Sequence, residues 1–183
     1  MVHLTRSFAV LSAVLGFALA SPVDKRTVAS VEADLNKIAA EVTTLLAEVQ
    51  AFPSSGLLGA LEIEEAAAPI ITALAAAASD SAATGPLSES DGAAVLAIVN
   101  GFEPSIIEVA NLIAGDAAAF EADLPGLDAV VLNDLEQIYS GTQNLATQLI
   151  DNAPADLQPT ATVINDAILA ALSSAIEVYE TAT

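Results

Sequence analysis

Apolar side chains recur at alternating intervals of four and three residues over residues 30–52, the spacing that places them along one face of an α-helix. Ser30 is expected to cap the start of this helix, and Pro53 is expected to end it. A helix with one apolar face must bury that face, so this segment is predicted to belong to a helical core. The stripe consists of Val31, Leu35, Ile38, Val42, Leu45, Val49 and Phe52.

Four further segments show helical spacing, and none shows the alternation of apolar and polar residues that is typical of a β-strand. A chain of 183 residues is long enough for one domain with a buried core. The predicted fold class is therefore all-α, a bundle of about five amphipathic helices. The further segments lie at about 57–79, 88–113, 127–151 and 160–180, with a short helical piece expected within 115–126.

Proline, glycine and small polar residues set the expected helix boundaries. Pro69 is expected to kink or split the second helix, and Pro104 is expected to bend the third. Residues 79–86 are small and polar and end in Gly-Pro, so a loop is predicted there. Ser88 is expected to begin the third helix through a capping box with Asp91.

The first 26 residues have the features of a secretory leader. Arg6 supplies a positive charge ahead of an apolar run, and Ala18 and Ala20 are small residues at the usual positions before a cleavage site. We predict a signal peptide over residues 1–20, a short propeptide over 21–26 that ends in a dibasic site, and a single domain over 27–183. The apolar run is too short for a membrane span, and no transmembrane segment is predicted.

Beyond residue 26 the chain is strongly acidic. It has one basic residue, Lys37, against 23 acidic ones, since Asp24 is the only one of the 24 acids that precedes residue 27. Binding to nucleic acid requires clustered Lys and Arg that neutralise phosphates, so this function is excluded. Anionic membrane surfaces are disfavoured for the same reason.

The residue types beyond position 26 also limit the possible chemistry. No His or Cys is left, so a Ser-His-Asp triad, a Cys nucleophile, a disulfide and an ordinary zinc site are excluded. Two carboxylates could still form a glycosidase-type site. Such enzymes hold sugars with aromatic side chains, which are few here, so the chain is predicted not to be an enzyme. No catalytic residue, metal or cofactor is expected.

Two charged features are interpreted as parts of the surface. Glu62, Glu64 and Glu65 form an acidic cluster, but helical spacing directs Glu64 away from the other two, so a solvated face is predicted rather than a metal site. Lys37 precedes Glu41 by four residues, and it is interpreted as a member of a surface pair rather than as a partner for a ligand.

Alanine is unusually frequent in the predicted helices, and two interpretations stay open. Alanine lets helices pack closely, whereas a stripe of Leu, Ile and Val opposite Ala leaves an apolar cavity or tunnel between helices. In the second case the candidate lining residues are Leu35, Ile38, Val42, Leu45, Ile70, Leu74, Val95, Ile98, Phe102, Val109, Leu135, Ile138, Ile168 and Leu172.

The charge of the chain limits how it could hold the head group of a lipid. A carboxylate would enter a strongly negative protein whose single cation beyond residue 26 is Lys37. The head group is therefore expected at a solvent-exposed mouth, held by hydroxyl or amide groups, unless the ligand is neutral.

The chain resembles the fungal hydrophobic surface-binding protein A family, which includes cell-wall galactomannoproteins. The likeness is carried by Lys25-Arg26, by the opening helix from Val31 to Phe52, and by the Cys-free, Ala-rich helical remainder up to Tyr179. The resemblance implies a helical domain outside the cell or in the wall that binds hydrophobic surfaces. It also implies that some relatives hold fatty acids between helices and that some help hydrolases to reach hydrophobic polymers.

Three functions follow from this reasoning. The first is a secreted protein, free or associated with the cell wall, that binds fatty acids or similar lipids between its helices. The second is an interfacial adhesion protein that binds a hydrophobic solid and recruits a secreted hydrolase. The third is a structural or antigenic protein of the cell wall.

Overall fold

The computed structural model describes residues 27–123 and 125–182, and these residues form six α-helices without a strand. This result confirms the predicted all-α fold class, while the predicted signal peptide and propeptide lie outside the described residues. The helices are α1 (Val28–Ala51), α2 (Gly56–Thr84), α3 (Glu89–Gly115), α4 (Ala117–Asp123), α5 (Leu127–Asn152) and α6 (Gln158–Ala182).

The five long helices form a closed ring in which each helix contacts two neighbours. The order around the ring is α1, α2, α5, α6, α3 and again α1. Within the described ranges, long helices that are not neighbours in the ring have no Cα atoms within 8 Å of each other. The ring therefore surrounds a central axis that only side chains can fill.

Two side-chain hydrogen bonds show which helix ends lie together. Asn152 Nδ2, at the end of α5, donates to the Ser81 carbonyl near the end of α2 at 2.8 Å. The Tyr179 hydroxyl, near the end of α6, donates to the Ile113 carbonyl near the end of α3 at 2.9 Å. Since each pair consists of neighbours in the ring, α2 and α5 run in the same direction, as do α3 and α6.

The short helix α4 covers one end of the ring, where it contacts α2, α3, α5 and α6. Its Phe120 is fully buried and stacks on Phe52, with ring centroids 4.2 Å apart and an interplanar angle of 18°. Tyr179 is also in contact with Phe120, at a centroid distance of 6.5 Å. These three aromatic side chains close this end of the axis.

Helix α2 is longer than the sequence indicated, so the loop predicted over 79–86 is wrong for residues 79–84. Asp80 and Ser81 are buried. A tertiary contact supports this extension, because the Ser81 carbonyl accepts from Asn152 Nδ2. Within the helix, the Thr84 hydroxyl donates to the Asp80 carbonyl. The helix ends at Gly85, whose φ of +78° favours glycine.

Neither internal proline ends its helix. Helix α2 continues through Pro69 and α3 through Pro104, so the expectation that Pro69 could split its helix is not met. Proline removes one intrahelical hydrogen bond. The buried residues on either side, Ala67 and Ile70 in α2, keep that helix packed against the core despite this loss.

Two helical segments, Glu89–Gly115 and Gln158–Thr181, are long and apolar enough to cross a membrane by length and composition alone. These segments are α3 and most of α6, which contact each other in the ring and contribute buried residues to its core. In each of them 22% of the most apolar window is buried within the ring.

Hydroxyl side chains cap the starts of α1 and α3. The predicted cap of α3 is confirmed, because the Asp91 backbone N–H donates to Ser88 Oγ at 3.2 Å and Ser88 Oγ donates to Asp91 Oδ2 at 2.7 Å. The predicted cap of α1 is wrong by three residues. Thr27 occupies that position and accepts from the Ser30 backbone N–H.

Replacing Ser88 by Ala is expected to lower the free energy of unfolding by about 1 kcal/mol, because the Asp91 backbone N–H loses its side-chain acceptor. Urea denaturation of the two proteins measures this difference. Ser88→Thr keeps the hydroxyl and serves as the control. Equal midpoints for S88A and the unsubstituted protein would contradict the prediction.

Candidate functional site

A first chamber, chamber 1, lies on the axis of the ring and is lined by side chains from all five long helices. Its empty volume, including the space open to solvent, is about 640 Å³. Its walls are apolar except for three side chains, Glu64 on α2 and Asp134 and Thr142 on α5. The lining of chamber 1 is therefore almost entirely apolar.

A second chamber, chamber 2, lies mainly between α3, α5 and α6, next to the loop that connects α5 and α6. Its empty volume, again including space open to solvent, is about 730 Å³. Leu87, Leu96 and Leu157 are among its apolar walls, and the polar side chains that line it are Thr142 and Asn165.

The two chambers meet at Leu74, Ile106 and Thr142, which line both of them. Helix α5 borders chamber 1 from Val131 and chamber 2 as far as Ile150. At a rise of 1.5 Å per residue this stretch is about 28 Å long. The chambers together therefore follow most of the length of the ring, as an extended hydrocarbon chain would require.

Most of the predicted lining residues border these chambers, and two do not. Leu35 is fully buried in the core, and Ile98 is only partly buried on the flank of α3. Neither residue borders chamber 1 or chamber 2. The residues on chamber 1 are Ile38, Val42, Leu45, Ile70, Leu74, Val109, Leu135, Ile138 and Leu172, and those on chamber 2 are Leu74, Val95, Phe102 and Ile168.

The polar lining was missed by the sequence reasoning, and the solvated role predicted for Glu64 is wrong. Glu64 is partly buried and faces chamber 1, whereas Glu62 and Glu65 are exposed as predicted. Glu64 follows Ile63 directly and Asp134 precedes Leu135 directly, so each acid lies on the flank of an apolar stripe. That flanking position is the signal that could have indicated a boundary between core and solvent.

Glu64 and Asp134 share a hydrogen bond across the interface of α2 and α5. The pKa of Glu64 is raised from 4.5 to about 7, chiefly by burial and also by the charge and the hydrogen bond of Asp134. Burial also raises the pKa of Asp134, while hydrogen bonds from Asn133 and Glu64 act to lower it. Near neutral pH Glu64 is therefore the member of the pair that takes up a proton.

Replacing Glu64 by Gln is expected to weaken the pH dependence of stability. The folded protein keeps the Glu64 proton up to about pH 7, whereas the unfolded chain releases it near 4.5. The folded state thus binds more protons in this window, and raising the pH from 4.5 to 7 lowers the free energy of unfolding. A glutamine at this position does not titrate, so E64Q should lose less stability between pH 5 and pH 8.

Urea denaturation at both pH values measures this difference, and the many exposed acids contribute equally to the two proteins. Parallel losses of stability would contradict the prediction.

Thr142 differs from Glu64 and Asp134 in its burial. It is 8% exposed, and its Oγ1 has no hydrogen-bond partner within the described part of the protein. An unsatisfied hydroxyl at the meeting point of two apolar chambers is a costly feature for a folded protein.

The charged groups of the site are all acidic. Lys37, the one cation beyond residue 26, is exposed on α1 and borders neither chamber. In the described ranges no group of three or more Asp, Glu, His or Cys is placed to hold a metal ion. The walls of both chambers are mainly apolar, and hydroxyl, amide and carboxyl groups are placed for a few polar contacts.

Solved structures with the same fold are known. The chain is 29% identical to Afmp4p, solved in complex with palmitic acid, with a TM-score of 0.77 over 83% of this chain and 99% of that one. It is 20% identical to ligand binding domain 1 of the MP1 protein of Penicillium marneffei, solved with arachidonic acids, with a TM-score of 0.75 over 83% and 98% of the two chains.

Domain 2 of the same MP1 protein, complexed with multiple arachidonic acids, is 16% identical, with a TM-score of 0.72 over 85% of this chain and 97% of that one. Among curated proteins, none matches the chain.

The family model of hydrophobic surface binding protein A matches residues 28–151. This match begins with α1 and ends one residue before the end of α5, so it covers four of the five helices of the ring. The resemblance noted from the sequence is confirmed, and the chain belongs to the hydrophobic surface binding protein A family.

Proposed function

We propose that this protein is a secreted, non-enzymatic carrier that holds the hydrocarbon chain of a fatty acid or a similar lipid in chambers 1 and 2. The observation that carries the proposal is the pair of adjoining apolar chambers inside a closed ring of helices. The 29% identity to Afmp4p, which was solved with palmitic acid, supports the same class of ligand.

The burial of methylene groups is sufficient for useful affinity. At about 0.8 kcal/mol per buried methylene, roughly twelve methylenes contribute about 10 kcal/mol before association costs are subtracted. Association costs at least about 4 kcal/mol. At the smallest such cost, about 6 kcal/mol remains, which corresponds to a dissociation constant of tens of micromolar, and each further buried methylene tightens binding about fourfold.

Secretion is supported by the leader features of residues 1–26, with their apolar run and their dibasic end. A non-enzymatic role is supported by the residue types beyond position 26 and by the ligand complex of Afmp4p. Amino-terminal sequencing of the protein from culture medium tests the first point. Recovery of the protein only inside the cells, with its leader intact, would contradict it.

Native mass spectrometry, followed by denaturing lipid extraction, tests the carrier function. We expect a mass increment that corresponds to one or more lipids and that disappears after extraction. The delipidated protein is then titrated with a fluorescent fatty acid, and unlabelled palmitate should displace the probe. A protein with no bound lipid and no response to the probe would contradict the proposal.

A second candidate function, adhesion to hydrophobic solids, is favoured by an exposed apolar patch at the start of α2. Leu57, Leu58 and Leu61 are 44%, 72% and 49% exposed and lie on one side of the helix. Such a patch could attach the folded protein to an apolar surface and so bring a secreted hydrolase to it.

Depletion from solution by alkyl-coated beads tests this second function. The triple variant L57S/L58S/L61S should remain in solution, whereas Val163→Ser, which removes an exposed residue on α6, should be depleted as the unsubstituted protein is. Equal depletion of all three proteins would exclude the patch as the site of adhesion.

A further inference from the structure

Thr142 is exceptional among the threonines of the described helices. Most of the others place their hydroxyl against the carbonyl four residues earlier, as Thr43, Thr72 and Thr147 do at 2.8 to 3.2 Å. The Thr142 hydroxyl is buried and makes no such bond. It lines both chambers, so the group available to satisfy it is a polar atom inside them.

Burial limits the charge that such a polar atom can carry. Two other residues line both chambers beside Thr142, and both of them are apolar: Leu74 and Ile106. A carboxylate placed there would lose its hydration and find no cation, since Lys37 is on the exposed face of α1. An alcohol, an ester or a protonated acid loses much less hydration and can still form a hydrogen bond.

The acidic pair in chamber 1, Glu64 and Asp134, also disfavours binding of a carboxylate near Thr142. Asp134 precedes Thr142 by about two helical turns of α5, about 12 Å along the axis, and Glu64 contacts Asp134. The other titratable groups that influence this end of the ring are Tyr179, Asp116 and Asp128, and none of them is a cation. At this separation in partly buried surroundings, repulsion between a lipid carboxylate at Thr142 and one ionised carboxylate of the pair weakens binding of that lipid roughly tenfold.

We propose that the chambers select long-chain lipids with an uncharged oxygen, such as fatty alcohols and monoacylglycerols, over carboxylates of the same chain length, and that the Thr142 hydroxyl binds this oxygen. This inference rests on the function proposed above. It adds the class of head group and the residue that recognises it.

Isothermal titration of the delipidated protein at pH 8 with 1-dodecanol and with dodecanoate tests the proposal. We expect the alcohol to bind at least about tenfold more tightly than the carboxylate. Replacing Thr142 by Val should weaken dodecanol binding about fivefold, the worth of one hydrogen bond, and change dodecanoate binding by less than about twofold. Thr142→Ser keeps the hydroxyl and should behave like the unsubstituted protein.

Two further variants check the physical basis. E64Q should improve dodecanoate binding by a larger factor than it changes dodecanol binding, because it removes a negative charge from the lining of chamber 1. T142V without ligand should be as stable as the unsubstituted protein or more so, because it removes an unsatisfied hydroxyl. A lower melting temperature for T142V would show that the hydroxyl has a partner inside the protein, and it would overturn the proposal.

The outcomes separate this inference from the function on which it rests. If dodecanoate binds as tightly as dodecanol, or if T142V binds dodecanol normally, the carrier function stands and the selectivity is wrong. If neither compound binds and neither displaces Nile red from the protein, both proposals are wrong.

Discussion

Replacing Ala67 by Phe is expected to reduce the affinity for fatty acids roughly a hundredfold. Ala67 is buried on α2 and lines chamber 1, so the added ring occupies space that the hydrocarbon chain would fill. Exclusion of about four methylenes removes about 3 kcal/mol of binding free energy, which is a factor of about 100. Displacement of a fluorescent fatty acid from the delipidated protein measures the loss.

The matched control is Ala75→Phe, since Ala75 is exposed on the same helix and borders neither chamber. Circular dichroism shows whether A67F keeps its helical content, because a larger side chain in a packed interior can cost about 1–3 kcal/mol of stability. A folded A67F with undiminished affinity would show that lipid binds elsewhere.

Replacing Phe120 by Ala is expected to cause a larger loss of stability than replacing Ser88 by Ala. Phe120 is the one buried residue of α4, a helix of seven residues that is too short to be stable without tertiary contacts. The substitution removes the stack on Phe52 and the contact with Tyr179. A buried Phe→Ala change costs about 3–5 kcal/mol, which lowers the melting temperature of a domain of this size by about 10 °C.

Thermal unfolding followed by circular dichroism measures the change. Leu58→Ala is the control, because Leu58 is 72% exposed and its loss should alter stability little. A shift of less than about 2 °C for F120A would contradict the view that the aromatic cluster holds α4 in place.

Helix α1 shows what apolar spacing can predict. All seven residues of the predicted stripe, from Val31 to Phe52, are buried in the structure. The interval of four and three residues determines which side of the helix faces the core whatever its neighbours are, because the apolar face must be buried against some partner. The same reasoning correctly predicted the four other long helices.

The arrangement of the helices around the axis depends on contacts that this spacing does not encode. The end of α2 is an example, because its small polar residues are typical of a loop and become helical through the bond from Asn152 to the Ser81 carbonyl. Leu35 and Ile38 are equally buried on the same stripe, yet only Ile38 borders a chamber. A residue that fills the core and one that lines a cavity have the same pattern in sequence.

The polar lining was missed for a different reason. Glu64 and Asp134 are ordinary acids in an acidic chain, and only the pairing of α2 with α5 brings them together. Thr142 is one of several helical threonines, and nothing in the sequence distinguishes it from those whose hydroxyl bonds a backbone carbonyl. The charge composition predicts weak binding of a carboxylate head group. The titration with dodecanoate measures this affinity directly.

The order of the ring also bears on biosynthesis. Helix α6 is synthesised after the other five helices and lies between α5 and α3, so it completes the wall of the ring. A polypeptide that ends at Asn152 would form an open arc of four long helices, and the apolar faces on the inner side of that arc would be exposed to water. The enclosure proposed to hold a lipid therefore requires α6.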